Sequence, residues 1–183
     1  MVSLSDGRKN ILRFLWESEK PMSVDEVATK VGIKKTSAFM HLLGLRKEGY
    51  AVVSQDGSYV VTESGKEVLG LPKVDIDFAK KIIGKTSAEK AFHFYVEIGK
   101  PLGESADSLV DFGRKLKTVD LKSIEFHNKR GDFELWTHYL GDVELAKRLR
   151  MIKTENLSGE EMRNKIVAVV KTRYDDLMKK FNQ

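Results

Sequence analysis

Lys34-Lys35-Thr36-Ser37 puts two ammonium groups and two hydroxyls in four consecutive positions. At the start of a helix such a cluster suits phosphate, because cations and free backbone N–H groups meet there. The two hydroxyls can donate to a phosphate or to a base edge. Phe39, Met40 and Leu43 follow as apolar groups, and Arg46 and Lys47 as further cations. A second set of chemistry-bearing residues lies downstream. His93 and Glu97 are four apart, as are Glu134 and His138, and Glu125 stands near His127. Together they could hold a metal in a helical bundle. The di-iron pattern, however, needs Glu and His three apart, twice, and that spacing is absent. Histidines set among aromatics are more often core or surface residues, so neither a metal nor a cofactor is expected. There is also no Gly-rich phosphate loop, nucleophile elbow or Ser/His/Asp order. The expectation is a protein that is not an enzyme.

The elements that must position the first set are legible. Ser5-Asp6 suits a helix start, and Ile11, Leu12 and Leu15 recur at helical spacing, with Phe14 and Trp16 beside them. Glu19-Lys20-Pro21 should end that helix. Ser23 opens a second helix, and Glu26 three residues on completes a capping box. Val24, Val27 and Val31 form its stripe. Gly32 stands where the chain must stop and turn. A third helix follows over about 35–48, with Ala38, Leu42 and Leu45 inward. Tyr50–Ser54 and Ser58–Thr62 flank Gln55-Asp56-Gly57, a strong hairpin signal. Thr62 then caps a short helix, which Gly70-Leu71-Pro72 breaks.

Helix, helix, turn, helix, hairpin, helix is the winged helix-turn-helix order. VATKVGIKKTSAFMHLLGLRKEGYAVV resembles that family's run from the turn through the recognition helix to the first wing strand. VTESGKEVL is similar to its close after the wing. The resemblance covers about residues 5–70. It implies that the third helix enters the major groove of double-stranded DNA. The contacting residues it implies are Lys34, Lys35, Thr36, Ser37, Phe39, Met40, Leu43 and Lys47. Arg8, Lys9 and Arg13 on the first helix could add phosphate contacts.

This chain departs from that pattern. With Ala38, Leu42 and Leu45 inward, the opposite side carries Thr36, Met40, Gly44 and Lys47, flanked by Phe39 and Leu43. No Arg, Asn or Gln sits mid-face for bidentate base reading. Gly44 costs about 1 kcal/mol relative to Ala inside a helix, which points to something packed closely there. The wing tip, residues 54–58, has one acid and no base. Two readings therefore stand: apolar groove contacts with lysines on the backbone, or a face that docks protein. His41 reads as a packed or capping histidine.

Beyond Pro72 the sequence reads as helical. Residues 73–86 suggest a linker and short helix around Phe78, Ile82 and Ile83. Ser87 should cap a helix with a Phe92, Tyr95, Val96 stripe, and Gly99–Gly103 reads as a break. Ala106, Leu109, Val110, Phe112 and Leu116 mark a helix ending near Val119. Two short ones meet at Gly131, the second capped by Asp132. Asp142 caps the next. Ser158 with Glu161 opens a final helix of about 23 residues, ~35 Å long, whose 170-174-177-181 spacing suits a coiled coil. SIEFH, RGDFELW and GDVELAKRL resemble an uncharacterised archaeal helical domain over about residues 87–180. No activity comes with that resemblance.

The whole chain bounds these readings. Its 183 residues are 41% hydrophobic and 32% charged, enough for packed cores in one or two domains. The net charge of +5 is spread evenly, +2 over residues 1–73 and +3 over the rest. It permits a polyanionic partner without demanding one. With no cysteine, disulfides, thiolate zinc sites and a cysteine nucleophile are excluded. No signal-peptide order opens the chain, and no apolar run nears the ~20 residues of a membrane span. The expected fold is mainly α: a winged helix-turn-helix with a two-stranded wing (1–72), then an all-α bundle (87–183). The expected protein is a cytoplasmic reader of duplex DNA that acts as a homodimer and transcriptional regulator. Its C-terminal domain would serve dimerisation or sensing. The alternatives are a protein-interaction adaptor and, third, an enzyme or metal protein built on the bundle.

Overall fold

In the computed structural model, residues 4–18 and 20–181 are described. They form two compact units, which divide between Lys73 and Val74.

In the first unit, α1 (Asp6–Glu17) buries Ile11, Leu12, Leu15 and Trp16. Ser5 occupies its N-cap position without a side-chain bond to the helix. Glu19, part of the expected stop, lies outside the described residues. The Ser23 hydroxyl accepts from the Glu26 N–H at the start of α2 (Val24–Val31), and the Glu26 carboxylate accepts from the Ser23 N–H at 2.8 Å. This reciprocal pair satisfies two donors that a helix start leaves open. Gly32 ends α2 with φ +72°, where a side chain would be strained. Its neighbour Ile33 closes the turn by donating to the Ala28 carbonyl at 3.0 Å.

The third helix, α3 (Lys35–Lys47), buries Ala38, Leu42 and Leu45 against α1 and α2. The hairpin follows, β1 (Ala51–Val53) pairing antiparallel with β2 (Tyr59–Val61). Its turn is held by Asp56, whose carboxylate accepts from Ser54 and Ser58. Met22 adds a further bridge, exchanging two backbone hydrogen bonds with Tyr59. That bridge ties the α1–α2 connection to the wing. Thr62 caps α4 (Glu63–Val68) and also donates to the Gly49 carbonyl at 2.7 Å. Gly65 has to be glycine there. A Cβ would run into the Tyr50 carbonyl and stand 2.9 Å from Val61 Cγ2.

The second unit is mostly helical, but it is not all α. The segment expected to be a helix over Phe92–Ile98 is a strand, β3 (Phe92–Glu97), and the expected break is its partner β4 (Lys100–Ala106). Alternation decides this. Phe92 and Phe94 both enter the core while His93 points out, a period of two that the helical reading passed over. Gly99, at φ +79°, makes the turn. Ser87 precedes only a short 3-10 turn, Ala88–Lys90, and makes no capping bond.

The unit's helices are α5 (Ile76–Ile83), α6 (Leu109–Lys115), α7 (Leu121–Arg130), α8 (Asp132–Leu140), α9 (Val143–Thr154) and α10 (Gly159–Met178); α7 packs on β3, α6 on β4, and the others on one another. Their common core centres on Phe92, Phe94, Phe112, Ile124, Phe133 and Leu145. The α5 residues Ala79 and Ile82 belong to that core, so this segment is more than a linker. Three capping expectations come out differently from one another. Asp142 does cap α9, accepting from Leu145 N–H at 3.0 Å. Asp132 does not cap α8; its carboxylate binds His127 and Arg130 instead. Ser158 makes no capping bond, and the α10 N-terminus is met by Glu125, which accepts from Gly159 N–H at 3.0 Å. Finally α10 spans 20 residues. Val170 and Leu177 are buried in the unit's own core, with Tyr174 packed against it. Three of the four coiled-coil positions are thus spent within the unit, and the fourth, Phe181, is exposed just beyond α10.

Candidate nucleic-acid interface

The packing of Ala38, Leu42 and Leu45 fixes which side of α3 faces out. Lys34, Lys35, Thr36, Ser37, Phe39, Met40 and Lys47 are exposed, and Leu43 is half-buried. Seven of the eight expected contact residues are therefore accessible along this helix and its N-cap, and the eighth, Leu43, is partly so. Phe39 is 46% exposed and Met40 62%, high for such large apolar groups.

Lys34 is the N-cap of α3 and offers no side-chain oxygen to it. The first N–H groups of a helix have no partner within it. Without a capping side chain they stay open to an outside acceptor, and the positive end of the helix dipole adds to the two lysines. Lys35 is partly neutralised: its Nζ sits 2.7 Å from the Asp25 carboxylate on α2. The pair is exposed, so it is weak and can yield to a phosphate. Sequence spacing hid this contact, since the two residues meet only once the α2–α3 turn is folded.

Gly44 is explained by Arg8. The Arg8 guanidinium of α1 lies across it and pairs with Glu48. A Cβ at Gly44 would stand 2.6 Å from Arg8 Nη2 and 2.8 Å from its Cζ. The glycine is thus a seat for an arginine, which accounts for the close packing its helix cost suggested. It also takes Arg8 out of the set of unengaged cations, while Arg13 and Arg46 stay exposed. The wing tip is negative. Hydrogen bonds from the Ser54 hydroxyl and the Ser58 N–H hold the Asp56 carboxyl below its ordinary range. A carboxylate kept ionised at the tip disfavours a wing that grips phosphate. His41 is half-buried beside the inward face.

Residues 10–55 match the family model for the IclR helix-turn-helix domain. The match begins in α1, runs through α2 and α3, and stops in the hairpin turn. It covers about a quarter of the chain and lies wholly within the first unit. This IclR-type helix-turn-helix suggests a DNA-binding transcription regulator. Neither the comparison with curated proteins nor that with solved structures finds a match.

The second set of chemistry-bearing residues is dispersed by the fold. His93 and Glu97 lie on β3, so four residues apart no longer means one helical face. His138 is exposed on α8, and Glu134 pairs with Arg150. Glu125 is occupied with the α10 N-terminus. His127 alone is buried, packed among Phe92, Phe94, Phe126 and Phe133. Its Nε2 accepts from the Tyr95 N–H at 2.9 Å, which requires the proton on Nδ1, 2.7 Å from Asp132. Burial lowers the His127 pKa; Asp132 opposes this, but burial prevails. The imidazole is thus a neutral strut between α7 and β3. Among the described residues no three His, Asp or Glu side chains gather as a metal site. No helix among them is long and apolar enough to cross a membrane.

Proposed function

We propose that the chain is a cytoplasmic transcriptional regulator that binds duplex DNA through α3. Lys34, Lys35 and Lys47 would meet phosphates, together with the open N–H groups at the start of the helix. Thr36 and Ser37 would meet phosphate or base edges, and Phe39, Met40 and Leu43 would make apolar contacts such as those with thymine methyls. The observation that carries this reading is the uncapped, lysine-flanked N-terminus of an exposed helix inside an IclR-type helix-turn-helix. One short recognition helix buries too little for useful specificity. We therefore propose a homodimer with two such helices about 34 Å apart, one turn of DNA. The second unit would supply dimerisation or sensing. No catalytic role is assigned to either unit.

The test is binding to a pool of duplexes at several salt concentrations, with Lys34→Ala/Lys35→Ala as the comparison. Steep salt dependence that weakens in the double variant supports the proposal, and no binding at low salt sinks it. A second reading draws on the exposure of Phe39 and Met40. Large apolar groups on an accessible helix are also what a protein-docking surface presents. Phe39→Ser/Met40→Ser would then abolish a protein complex, and duplex binding would be absent from the start.

A further inference from the structure

A cavity of about 340 Å³ opens in the second unit between the β3–β4 turn and α7. Phe92 and Tyr95 of β3 and Phe126 of α7 line it. Ile98, at the hairpin turn, forms its lip and is 80% exposed. An isoleucine held this far into water invites a cover. The strand is built around the opening. The β3–β4 register shifts on both sides of Tyr95. Such irregularities re-aim side chains and are common beside binding sites. Here the shift accompanies a Tyr95 N–H that donates to His127 Nε2. Both nitrogens of His127 are thereby engaged, one by Tyr95 and one by Asp132, so the imidazole is a fixed part of the wall.

Two polar groups of the lining are left for a ligand, His93 and Arg130, and Arg130 carries the planar fork. Its guanidinium carbon lies 5.1 Å from the centre of the Phe126 ring, and its Nε donates to Asp132 at 3.1 Å. These two contacts hold the plane of the fork. Among the described residues neither terminal nitrogen, Nη1 or Nη2, has a hydrogen-bond partner. A fork fixed at Nε with both Nη groups open matches a carboxylate, which it can bind through two parallel bonds. Asp132 already takes two donors, from His127 and Arg130, so its charge is largely answered. The volume bounds the rest. At roughly 30 Å³ per liquid water, the cavity holds about eleven waters. That is room for one or two fused rings and a carboxylate.

We propose that this cavity is a binding site for a small planar aromatic carboxylate, with its ring between Ile98, Tyr95 and Phe126 and its carboxylate on Arg130. Largely apolar walls with a few directional polar groups are the usual make-up of a small-molecule site. The site deepens the sensing role proposed for the second unit and rests on that reading only for its purpose. Binding is tested without DNA, so failure of duplex binding leaves the outcome unchanged.

The experiment is calorimetric titration of the full chain with indole-3-carboxylate and with indole-3-carboxamide. The acid should bind with a Kd on the order of 10–100 µM, reasonable for about twelve heavy atoms. The amide should bind at least tenfold more weakly. Arg130→Met should weaken the acid at least tenfold and leave the amide within threefold. Ile98→Ser, at an exposed turn, should weaken both while the circular dichroism spectrum stays unchanged. Absence of any heat or chemical-shift change up to 5 mM acid overturns the proposal. So does an Arg130→Met variant with wild-type helicity that binds the acid as tightly as the wild type.

Discussion

Arg173→Met tests what holds the second unit together. Arg173 lies on α10 and is buried, as are Asp142 and Glu144. Its Nε donates to both Asp142 oxygens, at 3.1 and 2.8 Å, and its Nη1 donates to Glu144 at 2.7 Å. Methionine keeps much of the aliphatic volume but removes the charge. Glu144 then retains Arg148, 3.3 Å away. Asp142 retains the Leu145 N–H it caps. The main loss is therefore one unpaired carboxylate at a site with no solvent access. Breaking a buried pair from one side costs about 3–5 kcal/mol. That is a large part of the roughly 5–15 kcal/mol that stabilises a domain. Trp16 lies in the first unit and Trp136 in the second. In a Trp16→Phe background, urea unfolding followed by fluorescence thus reports on the second unit. The expected loss is about 3–5 kcal/mol at pH 7. Arg173→Met/Asp142→Asn should recover most of the loss, since asparagine can still cap α9. A single-variant loss below about 1 kcal/mol would refute the assignment of Arg173 as the counter-charge of this cluster.

Three further outcomes follow from particular contacts. Ser23→Ala removes one half of the α2 capping box and should cost about 1 kcal/mol in the first unit, read by urea unfolding with Trp16 as probe. Gly65→Ala and Gly44→Ala should separate sharply under the same measurement. At Gly65 the obstacle is the Tyr50 backbone, so overpacking costs roughly 1–3 kcal/mol or more. At Gly44 it is the end of the Arg8 side chain, which can swing away. The helix gains about 1 kcal/mol and loses a partly exposed ion pair worth about 0–1 kcal/mol, for a small net change. His127 should make the second unit acid-sensitive. Its folded-state pKa is depressed, so stability is complete above the unfolded value of about 6.5. Below that, the unfolded chain takes up a proton that the folded imidazole resists, and stability falls. The slope of unfolding free energy between pH 7 and 5.5 should flatten in His127→Gln.

The first unit was legible because its signals are local. A capping box, a left-handed glycine and an Asp-Gly turn each act within a few residues, and each stands where the spacing put it. Thr36, Met40 and Lys47 could be placed opposite the buried Ala38, Leu42 and Leu45 for the same reason: a wheel needs only the helical period. What escaped was pairing across elements. Asp25 reaches Lys35, Arg8 reaches Gly44, and Met22 bridges to Tyr59 only after chain segments ten to forty residues apart have folded together. In the second unit FHFYV carried both a helical stripe and a strand alternation. The aromatic core selected the alternation, because Phe92 and Phe94 can both be buried only in a strand. The cavity beside His127 had no sequence signature, since its lining comes from β3, the turn and α7.

The proposal that α3 reads DNA is tested most directly by the salt dependence of duplex binding, compared between the wild type and Lys34→Ala/Lys35→Ala. Each phosphate neutralised contributes about −0.9 to the slope of log K against log salt concentration. The wild type should bind at low salt with a steep negative slope. The double variant should be weaker and its slope shallower by about 1.8 for each recognition helix engaged. An undiminished slope in the variant, or no duplex binding by the wild type at low salt, contradicts the proposal.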